Sequence, residues 1–135
     1  MSVLDLFRLD GQVAVVTGGA RGLGRQMALA LAEAGADVAI CDLLEEAGQA
    51  AAAELAGLGR RSLFAKVDIT RAEEIEGFVA QVVAQLGKID ILVNNAGISS
   101  DGLSLEDEPD DAWRRMVDTN LSSMFYVGKR VARHM

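Results

Sequence analysis

The amino-acid sequence predicts an α/β fold in which a doubly wound parallel sheet carries helices on both faces. Three observations predict this fold class. Short, β-branched, almost continuously apolar segments alternate with longer segments of helical periodicity, and glycines separate the two kinds. Strand–helix alternation of this kind forms right-handed βαβ units. Four such strands are typically arranged in the order 3-2-1-4.

The first half of the chain contains two strand–helix units. The strand Gln12–Thr17 leads through a glycine-rich turn into a helix over Leu23–Ala34. The strand Asp37–Cys41 and the alanine-rich helix Glu45–Leu58 form the second unit. In the first helix, apolar residues recur every three or four positions and are expected to form the buried stripe: Leu23, Met27, Leu31 and Ala34.

The second half begins with a third strand, Ser62–Val67, and a helix over Arg71–Leu86. Thr70 is expected to be the N-cap of that helix, because its hydroxyl can accept a bond from a free backbone N–H. A fourth strand follows at Ile89–Asn94. The helix has one apolar face made of four residues: Ile75, Phe78, Val82 and Leu86.

The last element is a helix that begins near Asp110 or Asp111 and runs towards Met135. The acidic segment Asp101–Asp111 before it is interpreted as a solvated loop rather than a metal site, because its carboxylates lie on unpaired backbone. We therefore expect no metal ion. Eight residues are expected on the inner face of this helix: Trp113, Met116, Val117, Asn120, Met124, Val127, Val131 and Met135.

Composition excludes several classes of protein. Apolar residues make up 50% and charged residues 24% of the 135 residues, which is typical of a single globular domain. No segment approaches the roughly 20 apolar residues of a membrane-spanning helix, and Met1–Asp10 does not resemble a secretory signal. The net charge of −7 repels nucleic-acid phosphates. The single cysteine, Cys41, indicates a reducing, cytoplasmic setting and a place in the core.

The glycine-rich turn between the first strand and the first helix carries the strongest functional signal. Its sequence is TGGARGLG, from Thr17 to Gly24, with the spacing GxxxGxG. Glycines let the backbone approach a phosphate closely, and a helix N-terminus presents free N–H groups and partial positive charge. Gly24 would allow the helix to pack closely on the strand. A strand before the turn and a helix after it favour phosphate binding over an ordinary tight turn.

Asp42 ends the second strand, where dinucleotide-binding folds place an acid about 20 residues beyond the glycine turn. Its carboxylate would accept bonds from the 2′ and 3′ hydroxyls of the adenosine ribose. A 2′-phosphate about 4 Å away would be repelled by about 4 kcal/mol at an effective dielectric constant of 20. Arg21 acts in the opposite direction, because its positive charge could pair with such a phosphate. We expect NAD as the cofactor, with NADP as the weaker alternative.

Four motifs in this order are similar to those of the short-chain dehydrogenase/reductase family. They are the glycine turn, Asn94-Asn95-Ala96-Gly97, Asp68 in VDIT, and Asn120 in DTNLSSMF. The resemblance covers essentially the whole chain and the N-terminal half of a typical member. It implies a Rossmann-type sheet in the order 3-2-1-4 that stops before the fifth strand. Residues 1–135 would then be a single, incomplete NAD-binding domain.

The resemblance also implies a role for each matched residue. Asp42 would bind the adenosine ribose, and the Asp68 carboxylate with the Ile69 N–H would recognise the adenine edge. Asn120 would be the catalytic asparagine, which holds a water in a proton relay; without the resemblance it is an amide that satisfies backbone groups. Five residues would hold the pyrophosphate: Gly18, Arg21, Gly22, Leu23 and Gly24. Three would line the nicotinamide-ribose side and tie the fourth strand to its neighbours: Asn95, Ala96 and Gly97.

The family's other catalytic residues are a serine after the fifth strand and a Tyr-x-x-x-Lys pair on the next helix. The tyrosine is the general acid/base, and the lysine lowers its pKa. Met135 precedes all of these positions, so we expect the 135-residue chain to be inactive. Tyr126 and Lys129 have the wrong spacing and are interpreted as ordinary helix residues.

The sequence therefore predicts the cofactor-binding half of an NAD(H)-dependent oxidoreductase that acts on a carbonyl or a secondary alcohol. One alternative is a non-catalytic dinucleotide-binding module. A methyltransferase with a similar glycine turn is a weaker alternative, because it does not explain Asn94–Gly97 or Asn120. Family members are commonly dimers or tetramers built through the last helix present here. We accordingly expect a homodimer or homotetramer of the full-length form, with the stripe Trp113–Met135 at the interface.

Overall fold

A computed structural model describes all residues from Met1 to Met135 and contains one parallel sheet. The sheet has four strands in the order β3-β2-β1-β4, which confirms the predicted order and fold class. Each strand lies within three residues of its predicted bounds. The strands are β1 (Val13–Thr17), β2 (Asp37–Asp42), β3 (Ser62–Lys66) and β4 (Ile91–Val93).

The register of the strands brings their carboxyl ends to one edge of the sheet. Thr17 at the end of β1 pairs with Cys41 of β2, and Asp42 at the end of β2 pairs with Lys66 of β3. On the other side, Val16 of β1 pairs with Val93, the last residue of β4. The loops that follow the four strands therefore begin side by side, which is where ligands bind in open α/β sheets.

Five α-helices connect or follow the strands. A π-helical turn, Asp118–Ser122, joins the last two, and short 3₁₀ segments lie at Val3–Phe7, Leu105–Asp107 and Ala132–His134. None of the helices is both long enough and apolar enough to traverse a lipid bilayer. The α-helices are α1 (Gly22–Glu33), α2 (Glu45–Gly57), α3 (Ala72–Leu86), α4 (Asp110–Val117) and α5 (Ser123–Val131).

Two apolar layers cover the two faces of the sheet. One layer joins Val15 and Cys41 to buried residues of α3 and α5, including Phe78 and Val127. The other joins alternate strand residues such as Val16 to α1 and α2. All five residues of β1 are buried, as expected for the central strand of a sheet covered on both faces.

The predicted buried stripe of α1 is wrong by one position. Leu23 is 73% exposed and Met27 is 39% exposed, and Leu31 and Ala34 are only partly buried. The buried face of α1 consists instead of Gly24, Ala28 and Ala32. Small residues let α1 lie close to the sheet, so the helix turns its smallest side chains inward.

The predicted face of α3 is confirmed, but its predicted N-cap is not. Ile75, Phe78, Val82 and Leu86 are all buried. Thr70 does not cap the helix, because Arg71 occupies the cap position and makes no side-chain capping bond. The Thr70 hydroxyl donates instead to the carboxylate of Asp68, at 2.6 Å. The side chain that could have capped the helix therefore organises the turn before it.

The last predicted helix is broken by the π turn between α4 and α5, so its predicted inner face is only partly correct. Val127 and Val131 of α5 are buried, whereas Met116 and Val117 of α4 are only half-buried. A π turn holds one extra residue and rotates the face that follows it. α5 packs against α3 and turns Ser123 inward. Four predicted inner residues are exposed: Trp113, Asn120, Met124 and Met135.

Candidate functional site

A cleft of about 880 Å³ opens at the carboxyl edge of the sheet. Its walls come from the loops after all four strands and from the α4–π-turn segment. The structure brings together in this cleft all the residues predicted to bind the cofactor: Gly18, Arg21, Gly22, Leu23, Gly24, Asp42, Asp68, Ile69, Asn95, Ala96 and Gly97.

The glycine turn presents unpaired backbone donors to the cleft. Gly18 and Gly22 adopt positive φ angles of 66° and 56°, which side chains disfavour. The N–H groups of Gly22, Leu23 and Gly24, at the start of α1, have no acceptor in the chain. Free N–H groups at a helix N-terminus form an anion site. The turn can therefore bind a phosphate through its backbone alone.

Gly24 lies where the helix approaches the sheet most closely. A Cβ added at Gly24 would overlap the carbonyl oxygen of Gly18 and the side-chain nitrogen of Asn95. A Cβ added at Gly18 would lie 2.9 Å from the Cα of Ala96, which is also too close. The absence of side chains at both positions is therefore a steric requirement of this packing.

Asp42 connects the end of β2 to the glycine turn. Its Oδ2 atom accepts the N–H of Ala20 at 3.1 Å, and its Oδ1 atom accepts the N–H of Leu44 at 3.2 Å. Each carboxylate oxygen has a further lone pair available in the half-buried cleft wall. Arg21 lines the same cleft, is exposed and makes no side-chain hydrogen bond or ion pair.

The turn after β3 offers one donor and one acceptor. The Oδ1 atom of Asp68 accepts both the N–H and the hydroxyl of Thr70, at 2.9 Å and 2.6 Å. The Oδ2 atom of Asp68 has no partner, and neither has the N–H of Ile69. Ile69 lines the cleft, so a ligand there could pair with its N–H.

Thr17 and Asn95 join the ends of β1 and β4. The Thr17 hydroxyl accepts the N–H groups of Asn95 and Ala96, each at 3.1 Å. The Asn95 side chain donates to the carbonyls of Thr17 and Gly18, at 3.0 Å and 3.2 Å. Asn95 therefore joins the loop after β4 to the end of β1. Sequence reasoning left Thr17 out of the site, although its place before the glycines was the available signal.

Asn120 faces the backbone of the loop after β4. Its side-chain oxygen accepts the N–H of Ile98, and its side-chain nitrogen donates to the carbonyl of Ile98, each at 2.7 Å. A Cβ added at Gly97 would lie 3.1 Å from that same oxygen. Asn120 therefore satisfies backbone groups, as one of the two sequence interpretations had it, but in an exposed position.

The cleft also contains residues that the motifs did not indicate. Leu43, Leu44 and Val67 supply apolar wall, and Arg115 and Thr119 approach from α4 and the π turn. Arg115 lies in α4 and belongs to no motif, whereas Thr119 lies in the π turn, within the last of the four motifs.

Cys41, Tyr126 and Lys129 have chemically active side chains that make packing contacts in this structure. Burial raises the pKa of the Cys41 thiol to about 12, with a smaller contribution from the charge of Asp42, so the thiol stays protonated. Tyr126 packs partly against the core, and the Lys129 ammonium lies 5.8 Å from the ring centre of Phe125. Neither Tyr126 nor Lys129 is among the residues that line the cleft.

A parallel sheet in the order 3-2-1-4, with a glycine turn and free helix N–H groups at its carboxyl edge, defines a Rossmann-type nucleotide-binding fold. Comparison with known families makes the assignment specific. The sequence profile described as "short chain dehydrogenase" matches residues 12–135. The chain belongs to the short-chain dehydrogenase/reductase family, a family of oxidoreductases.

Individual relatives agree with the family assignment. A 3beta-hydroxysteroid dehydrogenase 2 of Eggerthella lenta is 40% identical over 126 residues, which are 93% of this chain and 48% of that protein. A crystal structure of a short-chain type dehydrogenase/reductase from Mycobacterium marinum is 42% identical, with a TM-score of 0.94 over 99% of this chain and 54% of that one.

A carveol dehydrogenase from Mycobacterium avium, crystallised in complex with NAD, is 35% identical with a TM-score of 0.89. The match covers 94% of this chain and 50% of that chain. The chain spans about half the length of the curated relatives that it matches.

Proposed function

We propose that residues 1–135 form the cofactor-binding domain of an NAD(H)-dependent oxidoreductase. The bound nicotinamide would exchange a hydride with a carbonyl or secondary alcohol, and the protein would supply orientation. One observation carries the proposal: the unpaired N–H groups of Gly22–Gly24 and the carboxylate of Asp42 line the same cleft. A diphosphate joined to a ribose matches this pair of features.

The start of α1 would bind the pyrophosphate. The N–H groups of Gly22, Leu23 and Gly24 point outward from the helix N-terminus, where the aligned peptide dipoles favour negative charge. Gly18 keeps the backbone free of side-chain atoms beside Ala96. The exposed guanidinium of Arg21 adds positive charge to a chain whose net charge is −7.

The Asp42 carboxylate would bind the adenosine ribose and select NAD over NADP. Its bonds to Ala20 and Leu44 hold the carboxylate in place, so it would be oriented before the ribose arrives. A 2′-phosphate would meet a fixed negative charge there, and β2 is followed by Leu43 rather than by a base. Arg21 is the one base that we assign to this wall, and we expect it to reduce the selectivity for NAD without reversing it.

The turn after β3 would recognise the adenine. The free Ile69 N–H could donate to the ring N1 atom, and the free Asp68 Oδ2 atom could accept from the exocyclic amine. Leu43, Leu44 and Val67 would provide apolar wall for the base. These two atoms would supply both a donor and an acceptor for the adenine edge.

The loop after β4 would lie along the nicotinamide ribose. Asn95, Ala96 and Gly97 line the cleft, and Thr17 holds the first two through their N–H groups. Asn120 would serve the proton relay that the resemblance implies. Its side-chain amide is engaged with the backbone of Ile98.

We further propose that a second copy of the protein covers the exposed apolar side of α4 and α5. This side includes Trp113, Leu121 and Phe125, which are 62%, 66% and 65% exposed. Large apolar side chains that stay exposed are candidates for an interaction site. Sedimentation of the wild type and of Phe125→Arg would test the proposal, because the variant should shift the protein towards the monomer. An unchanged distribution would argue against this interface.

Isothermal titration calorimetry with NADH and NADPH tests the proposed cofactor site directly. We expect heat of binding for both dinucleotides, with the lower Kd for NADH. Absence of heat with either one would overturn the proposal. The alternative of a non-catalytic module is distinguished by turnover of a longer product of the same gene. A serine and a Tyr-x-x-x-Lys motif downstream of Met135 would support the oxidoreductase.

A further inference from the structure

The turn after β3 is held by a residue that none of the family motifs contains. Glu74 lies in the first turn of α3, and its Oε2 atom accepts the backbone N–H of Asp68 at 2.7 Å. The other oxygen, Oε1, lies 3.2 Å from the Nε atom of Arg71. The ion pair with Arg71 therefore fixes the Glu74 carboxylate, which in turn accepts the N–H of Asp68.

Nearly all the polar atoms of Asp68 are occupied within the chain. Its N–H donates to Glu74, its carbonyl oxygen accepts the N–H of Arg71 at 3.0 Å, and its Oδ1 atom accepts two bonds from Thr70. Only the Oδ2 atom remains for a ligand. The next donor along the backbone, the Ile69 N–H, is also unpaired.

These bonds restrict the peptide unit between Asp68 and Ile69. That unit carries the Asp68 carbonyl and the Ile69 N–H, so rotating it would break the bond from Arg71. The bond from Asp68 to Glu74 holds the preceding peptide unit. Glu74 therefore holds the backbone on the N-terminal side of Asp68 and the Arg71 N–H holds it on the C-terminal side, although Glu74 is not among the residues that line the cleft.

The two free atoms form a donor–acceptor pair with a defined order. Adenine presents an acceptor at N1 and a donor at the exocyclic amine, which complements the Ile69 N–H and the Asp68 Oδ2 atom. Hypoxanthine presents a donor at N1 and an acceptor at O6. It would place donor against donor and acceptor against acceptor. A site that leaves polar groups unpaired rejects a ligand strongly.

We propose that Glu74 is a positioning residue for base selectivity, which holds the Val67–Asp68 peptide and thereby keeps Asp68 oriented, so that the site accepts a 6-aminopurine and rejects a 6-oxopurine. The inference rests on the proposed function, because it requires the dinucleotide to lie in this cleft. Glu74 acts through Asp68 and would not contact the ligand.

The test measures the Kd of NAD⁺ and of nicotinamide hypoxanthine dinucleotide by calorimetry, using the 135-residue chain. The quantity of interest is the Kd of the hypoxanthine dinucleotide divided by the Kd of NAD⁺. Glu74→Ala should lower this ratio by about tenfold, because the Asp68 N–H then has no acceptor and Asp68 is held less firmly. Glu74→Gln should preserve most of it, since the amide oxygen still accepts the Asp68 N–H. Glu73→Ala is the matched control and should leave it unchanged, because Glu73 is exposed and makes no side-chain bond.

Arg71→Ala provides an independent route if Glu74→Ala does not fold. Arg71 is 64% exposed, and its removal should lower the ratio in the same direction by a smaller factor. An unchanged ratio in the folded variants, together with normal NAD⁺ binding by the wild type, would overturn the inference and leave the proposed function intact. If the wild type binds neither dinucleotide, the proposed function fails and the inference fails with it.

Discussion

Thr17 and Asn95 form a reciprocal pair that joins the central strand to β4. The Thr17 hydroxyl accepts the Asn95 N–H at 3.1 Å, and the Asn95 side chain donates to the Thr17 carbonyl at 3.0 Å. Thr17 is 2% exposed, so these bonds are shielded from water. The pair holds the glycine turn and the loop after β4 at a set distance across the cleft.

Thr17→Val should destabilise the fold. The valine has nearly the shape of threonine, but it leaves the N–H of Ala96 without an acceptor, and the N–H of Asn95 keeps only its bond to the Val93 carbonyl. An unsatisfied buried group costs about 1–3 kcal/mol, so we expect a loss of that order in the free energy of unfolding. Urea denaturation measures it. Thr17→Ser keeps the hydroxyl and should retain most of the stability; an equal loss in both variants would contradict this explanation.

Asp42→Ala should weaken NADH binding and relax discrimination against NADPH. Charge-assisted hydrogen bonds contribute about 1.5–3 kcal/mol, so the Kd for NADH should rise roughly 10- to 100-fold. Loss of the negative charge should lower the Kd for NADPH relative to that for NADH. Glu46→Ala, at a nearby exposed acid outside the cleft, is the control. Identical titration curves for Asp42→Ala and the wild type would refute the ribose role.

Gly24→Ala should be far more damaging than the same change elsewhere in a helix. The added methyl would overlap the Gly18 carbonyl and the Asn95 side chain, and would force α1 away from the sheet. Gly77 in α3 has no atom within 4 Å of the position of an added Cβ. Gly77→Ala should stabilise the protein by about 0.5–1 kcal/mol, since alanine is the better helix former. Thermal unfolding should show opposite shifts, and equal shifts would argue against close packing at Gly24.

Asp90 should make the stability depend on pH in acid. The pKa of Asp90 is lowered, first by the hydrogen bond from the Val13 N–H at 2.8 Å and then by Lys88. An unfolded aspartate has a pKa of about 3.9, and the folded value is lower. The ionised form therefore stabilises the folded state above pH 4 or so, and this contribution is lost as the pH falls through the folded pKa.

Asp90→Asn removes that titration while an amide oxygen can still accept the Val13 N–H. Urea midpoints measured from neutral pH down to about pH 3 should fall less steeply for this variant than for the wild type. The exposed Asp101, changed to Asn, serves as the control and should follow the wild-type curve. Parallel curves for Asp90→Asn and the wild type would show that Asp90 makes no such contribution.

The 135-residue chain should bind the cofactor without turning it over. Tyr126 and Lys129 lie outside the cleft, so neither can serve as the acid/base there. NADH oxidation followed by absorbance with a panel of ketones should not exceed the rate without protein. Measurable oxidation that disappears in Tyr126→Phe would overturn this expectation.

Most element positions could be predicted from the sequence because they depend on local patterns, and the strand order followed from the usual topology of doubly wound sheets. β1 is apolar at every position, and only a strand covered on both faces tolerates that pattern. The apolar face of α3 was also predictable, since Ile75, Phe78 and Val82 follow helical spacing on a helix whose other side faces water. The glycine turn, Asp42 and Asp68 follow strands directly, so their common edge was predictable as well.

The incorrect predictions concern which face of a helix is buried. On α1 the larger apolar residues Leu23 and Met27 suggested a core face, yet the helix buries Gly24, Ala28 and Ala32. Periodicity identifies a stripe by hydrophobicity, whereas the distance between helix and sheet selects by size. Asn120 lies within the π turn, which no periodic pattern encodes, and is exposed there.

The sequence by itself determined the class of fold, the family and the edge of the sheet at which the cleft forms, because strand and helix periods and glycine spacing are local properties. Only the tertiary structure decided that Asp68 and Ile69 each keep one unpaired polar group. It also decided that the Glu74 carboxylate accepts the Asp68 N–H. Whether a polar group is paired depends on atoms from other turns of the chain that approach to within hydrogen-bond distance. That proximity is a result of packing and cannot be predicted from the order of the residues.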